Sequence, residues 1–116
     1  MATYLRSGLS VSTNGKNIAV GVTASPTLIH TAVNSSSVNT WDEIYLYAYN
    51  GNVSDLELII LWGGTASTDE TRITIPSKSG RYLVIDGKML QNSLLVKAYT
   101  SVSGAILIDG YVNSIT

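Results

Sequence analysis

The sequence predicts an all-β domain, an antiparallel β-sandwich or jelly roll of about eight strands. Of the 116 residues, 33 are Val, Ile or Thr, whose branched side chains favour extended backbone. Short runs of alternating apolar and polar residues recur along the chain, and turn residues separate them. The three-four apolar spacing that indicates an amphipathic helix is nowhere sustained beyond one turn. Together these observations are typical of two-layer antiparallel β proteins.

The sequence predicts a single β-sandwich domain that spans residues 1–116. Within it, residues 1–16 are predicted to form an N-terminal arm or a loose terminus. Residues 1–16 are polar and rich in turn formers, and they end close to the hairpin-type pair Asn14-Gly15. A chain of this length has room for one hydrophobic core, so no second domain is expected.

Eight runs of β-favouring residues follow the arm, and breaker residues separate most of them. They predict strands at residues 17–23, 27–33, 43–49, 55–62, 71–75, 81–86, 93–100 and 105–113. Pro26 separates the first two strands, because proline lacks the N–H that a sheet ladder uses. The small polar residues between the second and third strands predict a loop.

The third and fourth strands show the clearest patterns. In residues 43–49 the aliphatic side chains alternate with three tyrosines, so the two kinds of side chain lie on opposite faces. Residues 55–62 are apolar on one face and also partly apolar on the other. Because Asn50-Gly51 lies between these runs, we expect them to form an antiparallel hairpin.

The C-terminal half predicts four further strands, each with apolar residues on one face. Pro76 ends the first, and Ser79-Gly80 turns the chain into the second. Asp86-Gly87 predicts the next turn, and a Ser-Gly pair at 103–104 precedes the last strand.

The composition excludes most catalytic chemistry. The chain has no cysteine and one histidine, so thiolate zinc sites, cysteine nucleophiles and most triads are excluded. No pair of carboxylates has a spacing that marks an acid and a base, and we expect no enzyme, no metal and no cofactor. The formal net charge of −1 argues against nucleic acid as a partner. No apolar run approaches the about 20 residues that span a bilayer, so no membrane association is expected.

Several predicted strands are apolar on both faces, which favours self-association. A monomeric sandwich exposes mainly polar residues on its outer faces. Only 13 % of the residues of this chain are charged, so few charged side chains are available to cover those faces. The candidate protein-interface residues on the tyrosine face are Trp41, Tyr45, Tyr47 and Tyr49. A second candidate is the arm, with Thr3, Tyr4 and Leu5. The alternatives are that the tyrosines cap the sheet edges, or that Trp41 and Trp62 stack on sugars, as in a carbohydrate-binding β-sandwich.

Three segments of the sequence resemble small virion proteins of tailed bacteriophages, and the similarity spans most of residues 40–116. The segments are TWDEIYLY (40–47), LWGG (61–64) and DGYVNSIT (109–116). The relatives whose role is best understood are capsid decoration, or cement, proteins. The resemblance is one of pattern, and no functional residue can be transferred from it.

This resemblance implies a structural protein that is made in the host cytoplasm and assembled into the virion. It implies a β-sandwich or jelly-roll homotrimer on the capsid exterior that contacts the major capsid protein and holds its subunits together. Another phage component of similar build, such as a head fibre, connector or tail protein, is the alternative within this class.

Overall fold

The computed structural model describes residues 3–116, which form nine strands in two antiparallel sheets. The predicted all-β sandwich is therefore confirmed, with one more strand than the sequence predicts. Met1 and Ala2, the first residues of the predicted arm, lie outside the described residues. The strands are β1 (Tyr4–Gly8), β2 (Ile18–Ala19), β3 (Thr27–Thr31), β4 (Trp41–Asn50), β5 (Leu56–Trp62), β6 (Glu70–Ile75), β7 (Tyr82–Leu90), β8 (Leu95–Tyr99) and β9 (Ile106–Ile115).

The strands pair in nested order along the sequence: those nearest the two ends of the chain pair with each other, and those nearer its middle pair in turn. The first two strands pair with β9, β3 pairs with β8, β4 with β7, and β5 with β6. The front sheet has the order β1-β9-β4-β7, with β2 also paired to β9, and the back sheet has the order β3-β8-β5-β6. This connectivity is that of a jelly roll, one of the two forms that the sequence predicts.

The hydrophobic core lies between the two sheets. Ile44, Leu46 and Ala48 of β4 are fully buried, and they belong to the same apolar cluster as Leu58 and Ile60 of β5. In β4 every second side chain is buried, as expected for a strand with one face on a core. The opposite side chains of β4, including the tyrosines, are therefore on the outer face of the front sheet.

The predicted hairpin between residues 43–49 and 55–62 is wrong. The strands β4 and β5 lie in different sheets, because both have strongly apolar faces that pack against each other across the sandwich. Asn50, which is fully buried, holds the corner between them. Its amide nitrogen donates to the carbonyls of Ser54 and Ile75 at 3.0 and 2.9 Å, and its oxygen accepts from the Asn52 amide at 2.8 Å.

Three further segments differ from the sequence prediction. Residues 4–8 of the predicted arm form β1, and the strand predicted at 17–23 is reduced to the two residues of β2. The predicted turn at Asp86-Gly87 is a bulge inside β7, where the register shifts by one residue opposite Ile44 and Tyr45. Gly87 has a φ of 72°, so this bulge uses a backbone conformation that glycine favours.

Candidate functional site

The outer face of the front sheet brings most of the predicted interface residues together. Trp41, Tyr45, Tyr47 and Tyr49 of β4 all point outwards and are half-buried. Tyr4 lies on the same face, because it and Trp41 flank Ile115 of β9 in one row across the sheet. We call the set formed by these five residues and Tyr111 the aromatic face.

The other two predicted arm residues do not belong to the aromatic face. Leu5 is in register with Ser114, which is itself in register with the inward-facing Asp42. Thr3 has the same parity as Leu5 and exchanges main-chain hydrogen bonds with Thr116 at 2.9 and 3.0 Å. Leu5 therefore lies on the opposite side of β1, where it is 65 % exposed beyond the edge of the core.

Tyr45 and Tyr111 form a stacked pair at the centre of the aromatic face. Their ring centroids are 4.7 Å apart and the ring planes differ by 18°. The guanidinium of Arg6 lies 4.5 Å from the centroid of Tyr111. Because β1 and β4 flank β9 on opposite sides, Arg6 and Tyr45 cover opposite faces of this ring. Stacked rings and cation–π contacts of this kind hold aromatic side chains in fixed orientations.

Glycines make room for this pair. A Cβ at Gly87 would lie 3.0 Å from the Tyr45 hydroxyl. A Cβ at Gly110 would overlap the main-chain carbonyl of Tyr45, so β4 and β9 can approach this closely only where one of them has no side chain.

Tyr47 is fixed by a second arginine. The guanidinium of Arg81 lies 3.5 Å from the Tyr47 ring centroid. The same guanidinium donates to both carboxylate oxygens of Asp109, with distances of 2.6 to 3.0 Å. Asp109 raises the pKa of Arg81, mainly through these hydrogen bonds. Because Asp109 is in register with Tyr47, the ion pair holds the arginine over the ring.

The carboxylate of Glu43 forms hydrogen bonds with neutral groups of the same outer face. Glu43 accepts a hydrogen bond from the Tyr45 hydroxyl at 2.9 Å and another from the Asn113 amide at 3.3 Å. The bond to Glu43 raises the pKa of Tyr45 above its ordinary value. On this side of the sheet Arg81 is ion-paired with Asp109, Glu43 is hydrogen-bonded to neutral groups, and Asp86, in register with Tyr45, adds an exposed carboxylate.

The two tryptophans do not form one platform. Trp41 faces outwards, and its indole nitrogen donates to the Val38 carbonyl at 2.9 Å. Trp62 has the opposite orientation and packs against the core, with the ammonium of Lys88 at 4.9 Å from its ring. The two indoles that the carbohydrate-binding alternative invokes therefore lie on different parts of the molecule.

A buried polar network lies behind the aromatic face and joins the two sheets. His30 of β3 and Asp42 of β4 are both 5 % exposed, and the His30 Nε2 lies 2.8 Å from an Asp42 carboxylate oxygen. The Ser10 amide donates to His30 Nδ1 at 2.9 Å, so the proton is on Nε2, which donates to Asp42. The same carboxylate accepts from the Val33 amide at 3.0 Å and the Ser114 hydroxyl at 3.3 Å. Within residues 3–116 no buried side-chain nitrogen or oxygen lacks a hydrogen-bond partner, so the network has the character of a structural link.

Sequence reasoning missed the partners of the tyrosines. Tyr111 alternates with the buried residues of β9, so its outward orientation was readable from the sequence. That Tyr111 meets Tyr45, and that Arg6 and Arg81 cover the rings, depends on strand pairing that local alternation does not define.

Residues 3–116 contain no group of three or more His, Asp or Glu side chains placed to hold a metal ion. No helix within the described part of the chain is long and apolar enough to cross a membrane. No protein-family model matches the sequence, and the search of curated proteins also gave no match.

Proposed function

We propose that the protein is a structural virion protein, a capsid decoration (cement) protein of a tailed bacteriophage. In this proposal it binds the outside of the phage head as a homo-oligomer, a trimer, and holds neighbouring major capsid subunits together. The single structural observation that supports its protein-binding role is the aromatic face: five tyrosines and a tryptophan on the outer side of one sheet, several of them fixed by stacking and by arginines.

The composition of the aromatic face fits a protein partner. Tyrosine, tryptophan and arginine are the residue types enriched in the buried centres of protein interfaces. Tyr45 and Tyr47 are already held by Arg6, Tyr111 and Arg81 in the isolated chain, so binding costs little further side-chain entropy. A decoration protein needs such a surface and no catalytic group.

Two further arguments support the assignment to a virion. The resemblance of residues 40–116 to small phage virion proteins includes β4 and β9, the strands that supply most of the aromatic face. Jelly rolls are frequent among viral capsid proteins, although the same fold also serves lectins. The virion assignment depends on the resemblance, whereas the protein-binding role depends on the aromatic face.

The test of the aromatic face is the variant Tyr47→Asp. Tyr47 is half-buried on the outer face, and an added carboxylate there would be desolvated in any interface that covers it. We expect the wild type to have an oligomeric mass by light scattering at micromolar concentration, and Tyr47→Asp to have the mass of a 12.4 kDa monomer. The matched control is Tyr82→Asp, at an exposed tyrosine of β7 outside the aromatic face, and it should keep the oligomer.

A monomeric wild type, or a Tyr47→Asp variant with an unchanged mass, would contradict self-association through this face. The virion role is tested separately by cryo-electron microscopy of the particle with and without the protein. Density on the outer capsid surface that disappears with the protein supports decoration. Density at the neck, a fibre or the tail would assign the protein to one of those structures instead.

A further inference from the structure

We propose that a second copy of the chain pairs with the free edge of β1. The front sheets of the two copies then join into one continuous antiparallel sheet across a two-fold axis. This contact uses the edge of the front sheet rather than the aromatic face, and it does not depend on the proposed capsid role. Three features of the molecule support this pairing: the direction of the main-chain groups of β1, the interruptions of the other sheet edges, and the side chains that the pairing would bring together.

The outward main-chain groups of β1 are defined by its pairing with β9. Thr3 and Thr116 exchange two hydrogen bonds, so alternate residues from Thr3 onwards point their N–H and C=O groups at β9. The N–H and C=O groups of Tyr4, Arg6 and Gly8 therefore point away from β9, to the free edge. Within residues 3–116 the strand β1 pairs with β9 alone, and all five of its residues are exposed.

Apart from the two-residue β2, the other edge strands are β3, β6 and β7, and each carries a feature that hinders edge pairing. A bulge interrupts β3, and the Thr31 amide at its edge is already bonded to the Ser10 hydroxyl at 2.8 Å. The edge strand β6 includes the ion-paired Arg72 and is followed by Pro76, and Gly87 forms the bulge in β7. Among the described edge strands of five or more residues, β1 is the one with neither a bulge nor a flanking proline, the kind of edge that natural sheets otherwise protect.

The side chains of β1 favour one register. Only Tyr4, Arg6 and Gly8 present hydrogen-bonding groups, so these residues must pair with one another across the axis. A register centred on Arg6 would place two guanidinium groups opposite each other, which is unfavourable. In the register centred on Leu5, Tyr4 pairs with Arg6 of the partner subunit and Arg6 pairs with Tyr4 of the partner subunit.

The Leu5-centred register also covers exposed apolar surface. Tyr4 and Leu5 are 69 % and 65 % exposed in the single chain. The two Leu5 side chains meet at the axis as a non-hydrogen-bonded pair, the geometry in which opposite side chains are closest. On the other face, Arg6 would lie between its own Tyr111 and Tyr4 of the partner subunit, and so extend the row of stacked groups. A five-residue strand buries little accessible surface against its partner, so we expect the dimer to be weak and transient.

Disulfide cross-linking tests both the pairing and its register, because the chain contains no other cysteine. In the Leu5-centred register the two Leu5 Cα atoms are about 4.5 Å apart, within disulfide range. Leu5→Cys is therefore expected to form a covalent dimer under mild oxidation. The matched control is Ser7→Cys, an exposed position on the same face of β1. The two Ser7 residues would be about 14 Å apart along the strand, so this variant should cross-link at least about tenfold more slowly.

Mixed variants define the register further. Thr3 lies opposite Ser7 of the partner subunit, so a mixture of Thr3→Cys and Ser7→Cys chains should give the heterodimer. Equal cross-linking rates for Leu5→Cys and Ser7→Cys, or no covalent dimer for Leu5→Cys, would overturn the pairing. Efficient cross-linking between Leu5→Cys and Ser7→Cys chains would overturn the register, since it requires the Arg6-centred arrangement. Thermal unfolding of each reduced variant verifies that the fold is retained.

The same experiment separates this contact from the aromatic face. Adding Tyr47→Asp to Leu5→Cys should leave the cross-linking rate unchanged, even if it abolishes the oligomer seen by light scattering. Loss of the cross-link in the double variant would instead show that β1 pairing follows from contact through the aromatic face, and would overturn the independent edge contact.

Discussion

Gly110 is the point where β4 and β9 come closer together than a side chain permits. We expect Gly110→Ala to lower the free energy of unfolding by about 3 kcal/mol, because the new Cβ meets the Tyr45 carbonyl and one strand must shift. Urea unfolding measures the change. Gly8→Ala is the control, since a Cβ there meets no atom within 4 Å, and it should change stability by less than about 0.5 kcal/mol. Equal effects of the two substitutions would show that the strands have room to separate at Gly110.

The sequence predicts which side chains of a strand point outwards. It does not predict which residues those side chains contact. The alternation in residues 43–49 correctly placed Tyr45, Tyr47 and Tyr49 on the face opposite the aliphatic residues. The alternation is a local property with a period of two residues. The contacts of the aromatic face, in contrast, join distant segments: Glu43 and Asn113 are 70 residues apart and hydrogen-bonded.

At the scale of elements, β1 is expected to be the least protected strand of the front sheet. None of its five side chains is buried, so opening it removes little apolar surface from the core. In dilute solution we expect the amides of Leu5 and Ser7, which face β9, to exchange with deuterium at least about 100-fold faster than those in the middle of β4. Hydrogen exchange followed by NMR makes this comparison residue by residue. Equal protection of β1 and β4 would show that β1 opens only when the whole domain unfolds.

Two of the errors in predicting elements share one physical cause. Asn50-Gly51 and Asp86-Gly87 both have the composition of tight turns, but one is a corner between sheets and the other is a bulge within β7. Turn residues indicate where the chain leaves regular geometry, and they do not define the direction in which it continues. In the first case the Asn50 side chain, bonded to Ser54 and Ile75, helps to direct the chain into the second sheet. The bond to Ile75, 25 residues along the chain, leaves no local signature.

At the scale of the whole molecule, the Asp42 carboxylate connects the two sheets through His30, and His30 also accepts a hydrogen bond from Ser10 in the segment after β1. Replacing Asp42 with Ala would leave the buried Nε2–H of His30 and the Val33 amide without an acceptor. We expect Asp42→Ala to lower the free energy of unfolding by about 3 kcal/mol. The control Asp86→Ala removes an exposed carboxylate and should cost less than about 0.5 kcal/mol. If calorimetry gave the two variants similar unfolding temperatures, the network would not be the link between the sheets that its geometry indicates.

The nested pairing has a consequence for how the protein folds. Three strands of the front sheet, β1, β2 and β4, all depend on β9, which is the last of the nine to be synthesised. Until β9 has left the ribosome, β1 and β2 have no partner strand and one edge of β4 is unpaired. The apolar side chains of the front sheet are then incompletely buried. Pairing between strands far apart in sequence forms slowly, so folding is expected to be slow. The complete front sheet can form only after translation has passed residue 115. During that interval the nascent chain has its greatest need of a chaperone.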